Sequence, residues 1–215
     1  MAVTNLKRPG LIYLLIGPAG AGKNTLLDAW RAQTPKLGRI LSATTRPPRG
    51  AERHGREYLF LSRAQFQAGV KKGQFAEWAE IHKGPDGRGD LYGKPRKTIL
   101  TAIRRGQDLA TDIDIQGARS LKKAFPHNVV TIFILPPSSA EIKKRLKARG
   151  TESAQCIRTR LNTAKAEIAA LGEFDYLVIN DAIAQAVADL TAIQRAEGTR
   201  LTRLPIGKIQ QAFKL

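Results

Sequence analysis

Short apolar runs alternate along this chain with longer stretches in which apolar residues return every three or four positions. The runs Leu11–Ile16, Gly38–Ala43, Asp108–Asp114, Val129–Leu135 and Tyr176–Ile179 have the length and near-continuous apolar character of strands covered on both faces. Between and after them, helical spacing marks Lys23–Arg31, Ala64–Lys72, Pro95–Arg105, Gly117–Ala124, Ala140–Arg149, Ala154–Ala170 and Ala182–Ala196. Strand alternating with helix predicts an α/β architecture around a largely parallel sheet. The last strong helix is expected to end before Gly198. Residues 199–215 then read as a basic tail with Pro205 and Gly207, either a short helix or a mobile end.

Residues 44–95 break this rhythm. They hold only short runs, Glu57–Leu61 and Phe75–Ile81, among many charges, and predict a smaller subdomain inserted into the main sheet. Within it, Lys83 to Asp90 has the glycine, proline and charge content of a flexible surface loop. No internal repeat or low-complexity block is evident.

Composition narrows the class. A chain of 215 residues with 42% hydrophobic and 25% charged residues suits one globular core with mobile parts. Its single cysteine, Cys156, excludes an internal disulfide and fits a reducing cytoplasm. Leu11–Ile16 is far too short to span a bilayer, and the first ten residues lack the apolar segment of a secretion signal. The formal charge of +18 suits phosphorylated substrates and leaves an excess. That excess allows non-specific, salt-dependent contact with nucleic acid. No zinc-ligand cluster or aromatic-interleaved basic stripe supports a specific contact, and a solvated basic surface is the favoured reading.

The chemistry is announced by Gly17-Pro18-Ala19-Gly20-Ala21-Gly22-Lys23-Asn24-Thr25, between the first strand and the first helix. This is the strand, glycine-rich loop and helix order of a phosphate-binding P-loop. Backbone N–H groups and the positive helix end surround a polyphosphate, and Lys23 adds a point charge near its β and γ groups. The residue after the lysine should bring a hydroxyl to Mg²⁺, and here it is Asn24.

Other constellations follow. Arg46 and Arg49, on the proline-stiffened stretch Ser42-Ala43-Thr44-Thr45-Arg46-Pro47-Pro48-Arg49, can clamp one phosphate from two directions. Tyr58 and Tyr92 can donate hydroxyls to that phosphate. Glu77, a carboxylate in an apolar setting, can accept the N1 and N2 hydrogens of a guanine, a pattern adenine cannot supply. Asp112 and Asp114 are expected on one side of an extended strand end, where they can hold the waters of Mg²⁺ or orient a substrate. Arg145 and Arg149 share a helix face, Arg160 comes from the next helix, and the three can close over a nucleotide. Asn180, after the last strand, can meet an adenine ring. His54, His82 and His127 show no metal spacing.

Taken in order, the blocks GPAGAGK, SATTRPPR, GREYLF, FAEWAE, YGKPRKTI, DIDIQGA, FILPPS, KKRLKARGTES and FDYLVIND resemble the guanylate kinase family from about Leu11 to Glu197. The resemblance implies a three-layer P-loop NTPase fold with a central, mainly parallel sheet, an inserted mixed α/β GMP-binding subdomain and a helical lid. It places the core at 11–43, 96–135 and 172–197, the GMP subdomain at 44–95, the lid at 136–171 and the tail at 198–215. It implies Mg²⁺-dependent transfer from ATP to GMP, with Ser42 and Glu77 reading guanine. Arg46, Arg49, Tyr58 and Tyr92 hold the GMP phosphate, Asp112 and Asp114 lie near GMP and metal, and Arg145, Arg149 and Arg160 engage ATP. The acceptor oxygen is already ionised, so positioning and charge neutralisation carry the chemistry.

Three departures from the family pattern matter. Asn24 carries an amide where the family has a hydroxyl, which predicts weakened Mg²⁺ affinity and turnover with ATP binding largely kept. Thr25 does not replace it, because the next helical residue is rotated by about 100°. Lys94 follows Tyr92-Gly93 where a small hydroxyl residue is usual, and a lysine there can contact a phosphate or a different base. The 83–90 loop is longer than the family pattern. Two other readings therefore stay open: a related kinase with another small phosphorylated acceptor, and a guanylate-kinase-like module that binds phosphorylated peptides. Such modules generally lose the P-loop lysine and glycines, and both are present here.

Overall fold

A computed structural model describes residues 8–81, 87–148 and 154–213. The central sheet has five parallel strands in the order β2-β7-β1-β8-β9. These are β1 (Ile12–Ile16), β2 (Gly38–Arg39), β7 (Leu109–Asp112), β8 (Val129–Leu135) and β9 (Tyr176–Ile179). Both faces are covered, which is why β1 reads as an unbroken apolar run and is buried throughout. On one face lie α1 (Lys23–Gln33) and α7 (Ile183–Thr199), with Trp30 set edge-on to Tyr13 at 5.5 Å between ring centres. The other face carries α3 (Arg96–Arg105) and α4 (Ile115–Ala124).

A second sheet, in the order β4-β3-β6-β5, is built from β3 (Ala43–Thr44), β4 (Leu59–Phe60), β5 (Phe75–Ile81) and β6 (Asp90–Pro95). It is mixed: β3 pairs β4 in parallel, while β6 runs antiparallel to both β3 and β5. Helix α2 (Arg63–Lys71) covers it with Phe66, whose ring stacks on Phe75 at 4.3 Å. That helix starts at a reciprocal cap, the Ser62 hydroxyl accepting from Gln65 N while the Gln65 side chain accepts from Ser62 N. After β8 come α5 (Ser139–Ala148) and α6 (Ala154–Ala169).

The structure departs from the expected elements at several places. Gly38–Ala43 is not one strand. The ladder with β7 ends at Arg39, with Ile40 N adding one bond to Ala110 O, and the chain then crosses so that Ala43 and Thr44 pair in the second sheet. The expected strand Asp108–Asp114 is shorter at both ends, because Asp108 turns to Arg8 and Asp114 caps α4. Strand β6 was unforeseen, and the expected 83–90 loop gives way to it at Asp90; residues 82–86 lie outside those described. Helix α7 runs through Gly198 to Thr199 rather than stopping short. The tail is folded as far as Phe213, a short turn at Leu201–Arg203 leading into α8 (Ile206–Ala212). Arg203 anchors it, donating to the buried Glu197 carboxylate and, at 2.7 Å, to the carbonyl of His127.

Candidate active site

The phosphate loop joins the buried end of β1 to the start of α1. Gly17 has φ +138°, and a Cβ there would lie 2.2 Å from the carbonyl oxygen of Ile134, so β8 leaves room for glycine alone. Gly22 caps α1 at φ 82° with no side chain to offer, and the first turn carries no acid. No side chain caps the start of α1, the condition under which a helix N-terminus can receive an anion. The Lys23 ammonium folds back onto the loop, donating to the carbonyls of Gly17 at 2.5 Å and Pro18 at 3.2 Å.

Asn180 supports the loop from behind. It is 4% exposed, and its amide nitrogen donates to Ala21 O at 2.8 Å. Its own backbone oxygen accepts from Arg145 at 3.1 Å, and the Arg145 guanidinium also bonds Glu141 on the previous turn of α5 at 2.8 Å. The amide expected at an adenine ring is therefore committed, through its nitrogen, to the loop. Arg160 is half-buried on α6, and Arg149 lies outside the described residues.

Asn24 and Asp112 meet at the loop's mouth. With the Asn24 amide nitrogen toward Asp112, it stands 3.0 and 3.2 Å from the two carboxylate oxygens; the opposite orientation would set acceptor against acceptor. Asp114 is not beside Asp112 on a strand, as the spacing suggested. The ladder ends at Asp112, and the Asp114 carboxylate accepts the Gly117 N–H at 2.7 Å as the N-cap of α4. Among the described residues no group of three His, Cys, Asp or Glu could hold a metal. Mg²⁺ that arrives on a polyphosphate needs only one or two protein carboxylates, and Asp112 fits that part. Asn24 as placed does not turn its oxygen to the same point.

The second sheet assembles a different set. Arg46, 6% exposed, sends both terminal nitrogens to the Glu52 carboxylate at 2.7 and 2.9 Å and its Nε to the Tyr92 hydroxyl at 3.1 Å. Its guanidinium lies 5.1 Å from the Tyr58 ring centre, and Tyr58 meets Tyr92 edge-on at 6.0 Å. The hydrogen bonds from Arg46 pull the Glu52 carboxyl down to about 2. Arg49 is exposed; its backbone N–H, not its guanidinium, reaches Glu52, at 2.8 Å. Arg46, Tyr58 and Tyr92 are thus brought together as expected, but the group they already hold is Glu52, which no spacing signal distinguished from neighbouring acids.

Glu77 stands on β5 opposite Lys94 on β6. Burial pushes the Glu77 carboxyl up to about 7, against the pull of Lys94 and with a further push from Asp114. Lys94 is 6% exposed, and its ammonium donates to Ser42 Oγ and Thr111 Oγ1, each at 2.7 Å, and to the carbonyl of Asp112 at 3.3 Å. Burial pushes its pKa down, and Asp112 and Glu77 oppose the shift. A further carboxylate escaped the sequence reading. Glu167 on α6 has a buried Oε2 with no hydrogen-bond partner among the described residues, and burial raises its pKa against the pull of Lys23. A lone acid in an amphipathic helix carries no signal that it faces a phosphate loop.

A glycine loop with its lysine at the end of a buried parallel strand, beside a second sheet that carries an arginine, two tyrosines and a half-buried carboxylate, is the arrangement of a P-loop phosphotransferase. The family model for guanylate kinase matches residues 10–197. The guanylate kinase of Anaeromyxobacter dehalogenans is 44% identical over 200 residues, covering 93% of this chain and 86% of that protein. That of Dechloromonas aromatica is 42% identical over 189 residues, covering 88% and 90%. The crystal structure of guanylate kinase from Anaplasma phagocytophilum superposes with a TM-score of 0.72 at 30% identity, covering 93% of this chain and 92% of that one. The chain belongs to the guanylate kinase family. No helix among the described residues is long and apolar enough to cross a membrane.

Proposed function

We propose that this chain transfers the γ-phosphoryl group of ATP to the phosphate of GMP, giving ADP and GDP, through the residues described above. The observation that carries this reading is the shared platform of the second sheet. Glu77 supplies a half-buried carboxylate for the donor edge of a guanine, and the same sheet bears Arg46, Tyr58 and Tyr92 for a phosphate. Base and phosphate of one monophosphate are thus read by one small rigid unit.

The loop 17–25 and Lys23 hold the ATP phosphates, and Lys23 must leave the carbonyls of Gly17 and Pro18 to do so. Arg145, Arg149 and Arg160 add positive charge from the lid, 136–171, while Glu167 offsets Lys23 until a polyphosphate arrives. Ser42 and Glu77 read the base. Arg46 and Arg49, with the tyrosine hydroxyls, hold its phosphate in line with the donor. Asp112, with Asn24 beside it, would hold Mg²⁺, which when bound neutralises charge on the phosphates. The acceptor oxygen is ionised near neutral pH, so no general base is required. Closure of residues 44–95 and of the lid toward the loop excludes water. Nucleotide supply and the single cysteine favour the cytoplasm as the place of action.

An ADP-release assay with GMP, run with and without Mg²⁺ and against AMP, dGMP and a sugar phosphate, tests the reading. GDP formation, with GMP the preferred acceptor, is expected. Folded protein that binds ATP and yields no GDP overturns it.

A further inference from the structure

Lys94 is a buried cation that the transfer reaction does not use. Its side chain reaches from the second sheet into the central one. Its ammonium bonds Ser42, on the crossing between the sheets, and Thr111 and Asp112 at the end of β7.

An ammonium only donates. Both hydroxyl oxygens therefore accept from Lys94 and keep their own hydrogens. Thr111 spends its hydrogen on the Asp112 carbonyl at 3.1 Å. At Ser42, a positive charge 2.7 Å behind the oxygen repels the hydroxyl hydrogen to the far side. Glu77, paired across the strands with Lys94, brings an acceptor to the same region. A hydroxyl donor and a carboxylate acceptor are thus each tied to the same buried ammonium, Ser42 by a hydrogen bond and Glu77 across the strands.

We propose that Lys94 is a positioning residue that aims the Ser42 hydroxyl hydrogen into the acceptor pocket and so selects a purine with a 6-oxo group. The proposal rests on the GMP reading above and adds to it what sets the polarity of the pocket. A guanine offers an acceptor at O6 and donors at N1 and N2, matching Ser42 and Glu77 in turn. A 6-aminopurine offers a donor at position 6 and an acceptor at N1, and so sets donor against donor and acceptor against acceptor. The fixed charge behind Ser42 adds to the preference, since it attracts a carbonyl oxygen and repels an amino group. A small hydroxyl side chain at position 94 brings no such charge and lets the Ser42 hydrogen turn either way.

The test compares kcat/KM for GMP and for 6-thio-GMP, whose sulfur is a weak acceptor and whose N1 and N2 donors are intact. The ratio is measured in the wild type, Lys94→Met, Ser42→Ala and the double variant, with ATP binding and circular dichroism as checks of folding. Each single variant should lower the ratio about tenfold, the scale of one hydrogen bond to a polar group, and the double variant should fall no further. If Lys94→Met does not fold, Lys94→Gln, which keeps a donor without the charge, takes its place in the same cycle with a smaller fall expected. An unchanged ratio in a folded Lys94 variant, or losses that multiply in the double variant, overturns the proposal. A wild type that makes no GDP from GMP overturns the function on which it rests, a separate outcome.

Discussion

Asn24→Ser should tighten Mg²⁺ binding to the ATP complex. The Asn24 amide faces both oxygens of Asp112, at 3.0 and 3.2 Å, so an ion that needs this carboxylate must first displace a hydrogen-bond donor. Hydrogen bonds to a charged acceptor contribute roughly 1.5–3 kcal/mol when shielded. Asn24 is exposed, so solvent screening brings this to about 1 kcal/mol, a factor of about five in competition with the metal. A serine removes the competing donor and offers its own oxygen, and the expected gain in Mg²⁺ affinity is about five- to tenfold. Calorimetric titration of Mg²⁺ into ATP-saturated protein measures it, and the electron paramagnetic resonance of Mn²⁺ gives a second reading. Affinity for metal-free ATP should change less than twofold, because the backbone of the loop is unaltered. Equal Mg²⁺ affinity in the two folded proteins would refute the view that this amide competes for Asp112.

Three further outcomes are expected. Burial holds the Glu77 carboxyl near 7 in the folded protein against an ordinary 4.5, so ionising it costs stability that is absent below 4.5, grows through the interval and is complete above 7. Glu77→Gln should therefore raise Tm above pH 7 and leave it nearly unchanged below 4.5, and wild-type KM for GMP should rise as pH falls through 7; a Tm gain of the same size at both ends contradicts this. Arg46→Lys cannot keep the two-pronged bond to Glu52 together with the bond to Tyr92, and should raise KM for GMP about tenfold or more with a smaller fall in kcat, as steady-state rates with varied GMP will show. Asn180→Ala removes a buried bond to Ala21 and should cost about 1–3 kcal/mol in urea unfolding and raise KM for ATP, while KM for GMP stays near its wild-type value.

What the chain betrays of its structure depends on whether the cause is local. Strand β1, the loop and α1 are legible because continuous burial, glycine need and helical period follow one another within about two dozen residues. Strand β6 was hidden by Asp90, Gly93 and Pro95, all poor strand formers. Gly93 is there because the rings of Phe75 and Phe66 close over it, within 2.9 and 3.0 Å of where a Cβ would stand, and no local pattern announces that packing. The run Gly38–Ala43 looked like one strand because apolar content does not tell which sheet a residue joins. Asp114 looked like a strand carboxylate because the two-residue period continues past Asp112, although the backbone already turns into α4. Arg46, Tyr58 and Tyr92 were readable as a set only through the order of their motifs. Glu52, Glu167 and the reach of Lys94 across two sheets are products of the folded arrangement.

The way the smaller sheet is attached limits how it can move. One connection, from β2 to β3, is residues 40–42, and the other has no spare residue at all, since β6 ends at Pro95 and α3 begins at Arg96 with Ile99 packed into the core. Both attachments are short and stand on the same side of the sheet, like the two pins of a door. Such a panel swings about the line through its pins but has no slack to slide along the frame. In the proposed function, Glu77, Arg46, Tyr58 and Tyr92 would therefore move toward the glycine loop on one arc, with their mutual spacing preserved.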